Sequence, residues 1–182
     1  IIFVSLIWVL SEIALARLKH SDTAGTKQDK SSLRILWSTI ILGITAGYFL
    51  AMYRVGTIPA VSYYAAISGL ALIVVGLVVR WIAILTLWKY FTVDVSIANE
   101  HKLVNKGLYK LVRHPAYTGS LLSFLGVGMV FSSWLALLVI FVPITIAFVY
   151  RIKVEEKALT AFFGDQYARY CATTKRLIPM IY

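Results

Sequence analysis

Apolar residues along the chain gather into five stretches, at about 1–16, 35–53, 60–79, 115–131 and 134–150, separated by polar runs. Stretches near the ~20 residues needed to cross ~30 Å of hydrocarbon predict an all-α, multi-pass integral membrane protein with about five transmembrane helices. The third stretch stays apolar through Trp81, Leu85, Leu87 and Trp88, so its helix is expected to leave the bilayer tilted. Arg80 with Trp81, and Trp88 with Lys89, fit interfacial anchoring, because indole rings favour the headgroup level and Arg can snorkel along its own stem. Only Ser132 and Ser133 separate the last two stretches, which predicts a short antiparallel helical hairpin.

Local residues refine these helices. Pro59 and Pro115 suit the first turn of a helix, where a missing N–H costs nothing. Pro143 lies inside the last apolar stretch and is expected to kink it. Gly43 and Gly47 form a GxxxG spacing that lets a neighbouring helix approach closely. Glu12, the lone acid of the first stretch, sits near one end of it. Residues 17–34, with Asp22, Gly25 and Asp29, read as a polar loop with weak helical signals. Residues 89–113 form a mixed-charge segment longer than a minimal connection. Beyond Arg151 a helix with Leu159, Phe162 and Phe163 on one side is expected to lie at the membrane surface until Gly164 interrupts it.

With 60% hydrophobic residues, the composition excludes an ordinary water-soluble domain. A net charge of +10 could indicate nucleic acid. The eighteen Lys and Arg residues, however, fall between spans so that all but Arg54 share one side of the membrane. That is the positive-inside pattern, and it places the charged side in the cytosol. Cys171 is the only cysteine, so no internal disulfide and no cysteine-based metal cluster is available. Ile1 lies within an apolar run that lacks a basic leader and a small-residue cleavage site, so no signal peptide is expected.

Candidate chemistry concentrates in two polar pieces flanking the hairpin, 101–117 (HKLVNKGLYKLVRHPAY) and 150–170 (YRIKVEEKALTAFFGDQYARY). A hairpin with a tight outer turn brings the two together at one membrane face, where a pocket could open both to cytosolic solutes and to lipid. Arg151 and Glu155, four residues apart, share one face of a helix, while Glu156 points about 100° away. A solvated salt bridge explains such a pair equally well by composition, but charge at the end of an apolar helix is costly unless used. Arg113, His114 and Pro115 precede a helix whose first turn offers free N–H groups for an anion. His20, His101 and His114 have no metal-ligand spacing, so no metal site is expected. Neither a Walker loop, a GxSxG elbow nor a dinucleotide-binding glycine motif is present, so a nucleotide-like cofactor would need a non-Rossmann pocket.

Taken in order, HKLVNKGLYKLVRHPAYTG, the short hairpin, EEKAL and FGDQYARY resemble the isoprenylcysteine carboxyl methyltransferase family. The resemblance covers residues 101–182, making 1–100 a region of generic helices and 101–182 the cofactor-binding and catalytic region. It implies S-adenosylmethionine as cofactor, S-adenosylhomocysteine as product, and a lipophilic acceptor such as the carboxylate of a prenylated cysteine. It also implies that His101, Lys102, Leu103 and Val104 hold the adenosine portion with Tyr109 nearby, and that His114, Pro115, Ala116 and Tyr117 complete the pocket. Glu155 falls on the cofactor side and Arg151 towards the acceptor, with Arg113 and Glu156 as supporting charges. Ser120 departs from the family's eukaryotic members, which usually carry Trp there. Related membrane families share parts of the pattern, so an NADPH-dependent sterol-reductase-like enzyme and a non-catalytic helical protein or transporter remain alternatives.

Overall fold

The computed structural model describes residues 27–91 and 102–182, so the expected first span, 1–16, and His101 lie outside the described residues. The described chain is helical: α1 Lys27–Met52, α2 Ser62–Leu87, α3 Pro115–Val130, α4 Trp134–Phe163 and α5 Asp165–Thr173, with short 3-10 turns at Pro59–Val61, Trp88–Tyr90 and Gly107–Lys110. Among the described residues three helices are long and apolar enough to cross a membrane, over Asp29–Met52, Ser62–Leu87 and Trp134–Phe163; Pro115–Val130 is shorter.

Two boundaries differ from expectation. α1 begins at Lys27, inside the segment read as a polar loop, because Asp29 suits the positive end of the helix dipole and Ser32 Oγ donates to the Asp29 carbonyl at 2.9 Å. The last apolar stretch and the amphipathic segment after it form the single 30-residue helix α4, which ends at Gly164 with φ +50°.

The helices run alternately up and down, with α1 packed mainly on α4 and α2 mainly on α3. Between α2 and α3 the backbones nearly touch. A Cβ at Gly69 would stand 2.6 Å from the Gly126 carbonyl oxygen, and one at Gly76 would stand 2.5 Å from that of Gly119. Such crossings suit a bilayer, where close packing replaces the hydrophobic drive between helices. Arg80, expected to anchor at the interface, instead turns onto α3 and donates to Ser120 Oγ at 2.8 Å and the Ala116 carbonyl at 3.4 Å. Ser120 is small enough to admit it.

Gly43 and Gly47 face α4. A Cβ at Gly43 would lie 3.4 Å from the Val139 carbonyl oxygen, which has lost its i+4 donor because Pro143 has no N–H. Leu36, Phe124, Ile140, Ile144, Ala147 and Phe148 form the main core between these layers. At the hairpin tip Ser133 caps α4 by accepting from the Ala136 N–H at 3.1 Å and donates to the Val55 carbonyl at 2.7 Å, tying the α1–α2 loop down. The opposite end of the bundle carries the polar residues.

Candidate functional site

At that end α3 begins and the last turns of α4 run alongside it. Pro115 starts α3 and Ala116 packs with Ala83, Ile84 and Tyr109, which fixes where the preceding Arg113 and His114 project. The C-terminal segment completes the frame. Arg113 N–H donates to the Lys175 carbonyl at 2.7 Å and His114 N–H to the Arg176 carbonyl at 3.0 Å, so 175–176 lies beside 113–114 like a short strand. Thr118 Oγ1 donates to the Leu177 carbonyl at 2.8 Å, and the Tyr170 hydroxyl to the Tyr109 carbonyl at 2.6 Å.

Within this frame the two sequence pieces meet. Glu156 receives Arg113 Nε on Oε1 at 3.0 Å and Arg176 Nε on Oε2 at 2.9 Å, and His114 Nε2 lies 3.3 Å from Oε1. Arg113 also donates through Nη1 to the carbonyls of Thr174 and, at 3.3 Å, Cys171. Glu155 is engaged differently: the Tyr117 hydroxyl donates to its Oε2 at 2.7 Å, and His114 Nδ1 is 3.9 Å away. The rings of His114 and Tyr117 stack at 5.6 Å, and Tyr117 leans on Phe148. Adjacent carboxylates therefore have distinct surroundings, with 29% of the Glu155 side chain exposed against 12% for Glu156. Glu156 does point to a different side of α4 than Arg151, but α5 and the C-terminal segment wrap around to meet it.

Arg151 is not a solvated surface pair. It is 1% exposed, and its Nη1 donates to the Asp29 carboxylate, to the Asp29 carbonyl at 3.1 Å and to Ser32 Oγ at 2.7 Å. Both partners belong to the first turns of α1. The Tyr117 hydroxyl and the Glu155 carboxylate lie within electrostatic reach of the same guanidinium.

Of the other expected residues, Lys102 is exposed and Leu103 and Val104 are half-buried; among the described residues none of the three hydrogen-bonds to the carboxylates. Tyr109 is buried, and burial first, then the Glu155 charge, raises its hydroxyl pKa above the ordinary tyrosine range. Sequence reasoning missed Asp29, Ser32, Arg176 and Tyr167. Tyr167 is 2% exposed and its hydroxyl has no hydrogen-bond partner among the described residues. Burial, followed by the Glu156 charge, raises its pKa also. No group of His, Cys, Asp and Glu among the described residues is arranged to hold a metal ion.

Membrane-length helices that gather three arginines, a histidine and the Glu155–Glu156 carboxylates at one end define an integral membrane protein with a polar site at the bundle's mouth. The sequence model of the isoprenylcysteine carboxyl methyltransferase family matches residues 69–161, and the chain belongs to that family. It is 34% identical over 115 residues to protein-S-isoprenylcysteine O-methyltransferase B of Arabidopsis thaliana, covering 62% of this chain and 58% of that protein. It is also 37% identical over 82 residues to the protein-S-isoprenylcysteine O-methyltransferase of Schizosaccharomyces pombe, covering 45% of this chain and 35% of that one. The solved structure of the eukaryotic intramembrane Ras methyltransferase, an isoprenylcysteine carboxyl methyltransferase, superposes with a TM-score of 0.66 at 29% identity, over 80% of this chain and 52% of that chain. The chain thus spans about half to three fifths of these two longer matches.

Proposed function

We propose that this protein transfers the methyl group of S-adenosylmethionine to a lipophilic acceptor, most specifically the carboxylate of a prenylated cysteine or a close analogue. The observation that supports this reading is the convergence of Arg113, His114 and Tyr117 from the start of α3 on Glu155 and Glu156 of α4. The donor set suits a zwitterionic, hydroxyl-rich cofactor. Glu155 is partly exposed with acceptor capacity left, and Tyr167 is a buried hydroxyl without a partner among the described residues. By family resemblance the segment from His101 through Val104 would hold the adenosine end with Tyr109 nearby, and the turn His114–Tyr117 would complete the pocket.

When bound, S-adenosylmethionine supplies an electrophilic methyl group and leaves as S-adenosylhomocysteine. The chain's own residues position the reactants. A carboxylate acceptor with an ordinary pKa near ~3.5 is already ionised at neutral pH, so no general base is required. Arg151 offers the countercharge that orients that carboxylate, and Glu155, fixed by the Tyr117 hydroxyl, offers the negative group on the cofactor side. Glu156 keeps Arg113, His114 and Arg176 in register around the start of α3. Catalysis of this kind rests on proximity and preorganised charge. The charge distribution further argues for five spans with this end of the bundle in the cytosol and Arg54 outside.

Calorimetry on detergent-purified protein tests the cofactor. S-adenosylhomocysteine is expected to bind; a response to NADPH alone would favour a reductase, and silence to both a non-catalytic protein. Given binding, Arg151→Ala and Glu155→Ala are each expected to lower labelled-methyl transfer to a prenylcysteine analogue by roughly 100-fold or more in folded protein. Unchanged turnover in either variant removes that residue's assigned role.

A further inference from the structure

The family match begins at residue 69, so α1 lies outside it, and nothing in the sequence pattern attaches α1 to the chemistry. In the structure α1 nevertheless reaches the centre of the site. Arg151 is gripped by the first two turns of this helix through the Asp29 carboxylate, the Asp29 carbonyl and Ser32 Oγ, all on Nη1. Asp29 is 0% exposed and Ser32 likewise, so this contact is sealed from solvent. Ser32 Oγ also donates to the Asp29 carbonyl at 2.9 Å, which locks the two acceptors to each other.

A buried arginine without an opposite charge is strongly disfavoured, and one with a single flexible partner can rotate. Three acceptors on one nitrogen, supplied by a helix packed along α4, remove both problems. The guanidinium is thereby held from the α1 side, next to Tyr117 and Glu155. From α1 the polar chain then runs Asp29, Arg151, Tyr117, Glu155, His114 and Glu156, ending on Arg113 and Arg176.

We infer that Asp29, assisted by Ser32, is a positioning residue for methyl transfer, setting the orientation of Arg151 towards the acceptor from a helix outside the family-matched segment. The inference rests on the proposed methyltransferase activity. Asp29 touches neither reactant and acts through Arg151, so its loss should appear in turnover and acceptor use more than in cofactor binding.

The test uses the full chain in detergent or nanodiscs with a prenylcysteine analogue as acceptor. Asp29→Asn is expected to lower kcat about 10- to 100-fold, the penalty of a misplaced catalytic group, while S-adenosylhomocysteine affinity changes less than about threefold. Asp29→Glu should recover part of the loss, and Ser32→Ala should show a smaller loss in the same direction. In an Arg151→Ala background, Asp29→Asn should cause no further loss of turnover. Wild-type kcat in folded Asp29→Asn overturns the inference, as does an equal, independent loss in the Arg151→Ala background. If Asp29→Asn does not fold, Asp29→Glu and Ser32→Ala decide the matter, and wild-type kcat in both overturns it. Failure of the wild-type protein to bind S-adenosylhomocysteine would instead sink the methyltransferase reading itself.

Discussion

Two levels of the α2–α3–α4 assembly, its middle and its mouth, are held by opposite kinds of contact. Midway along the bundle, α2 meets α3 through bare backbone at Gly69, Gly76, Gly119 and Gly126. At the mouth, α3 meets α4 through Glu155 and Glu156 and the groups that bond to them. Surrounded by lipid, helices gain little from hydrophobic burial and must gain from fit. At the mouth, geometry matters more than net stability, and charged hydrogen bonds, which are directional, supply it. Packing should therefore govern whether the protein folds, and the polar cluster should govern how it works.

Gly76→Leu attacks the first half of that contrast and should have the largest effect. Its Cβ would meet the Gly119 carbonyl at 2.5 Å and the Ser123 nitrogen at 2.7 Å, both backbone atoms that cannot move aside alone. A loss of at least ~3 kcal/mol, the upper part of the range for overpacked cores, should abolish the monodisperse peak in size-exclusion chromatography. A sharp peak with a wild-type melting midpoint would show that α2 can slide on α3.

Glu156→Ala is intermediate. It strips an acceptor from Arg113, Arg176 and His114 at once, and a destabilisation of about 1–3 kcal/mol is expected for polar groups at a partly buried site that lose a shared carboxylate. Thermal unfolding should report it, with Glu156→Gln losing less. A melting midpoint unchanged in Glu156→Ala would mean that the C-terminal segment docks without this carboxylate.

Tyr117→Phe should be nearly silent in stability and visible in function. It deletes the hydroxyl that donates to Glu155 and also faces Arg151, while leaving the ring stacked on His114. A loss of ~1 kcal/mol, or less than about tenfold in S-adenosylhomocysteine affinity, is expected by calorimetry. A collapse of the fold in this variant would blur the division between packing and polar function.

What the sequence made legible follows the same division. The apolar stretches and the Ser132–Ser133 turn predicted the hairpin because span length and turn residues are local properties. Arg113, His114, Tyr117, Glu155 and Glu156 were found because their motifs occur in a fixed order, and the structure brings all five together. Asp29 was missed for the opposite reason. Its helix starts in a polar run tied to Arg151, 122 residues away, and no local pattern reports such a pairing. A lone acid at the entrance to an apolar helix, on the same side as a buried arginine, was the available signal. Arg80 was read as a snorkelling anchor because sequence gives depth but not direction, and only the α2–α3 register shows Ser120 beneath it. The glycine pairs likewise require that register.

Pro143 and Gly43 carry an evolutionary corollary. One leaves the Val139 oxygen without its usual donor, and the other lies over it with room for a Cβ in ordinary contact at 3.4 Å. A lineage that regained an N–H at 143 would return that oxygen to its own helix. Alanine at 43 should therefore be accepted whether or not the proline is kept.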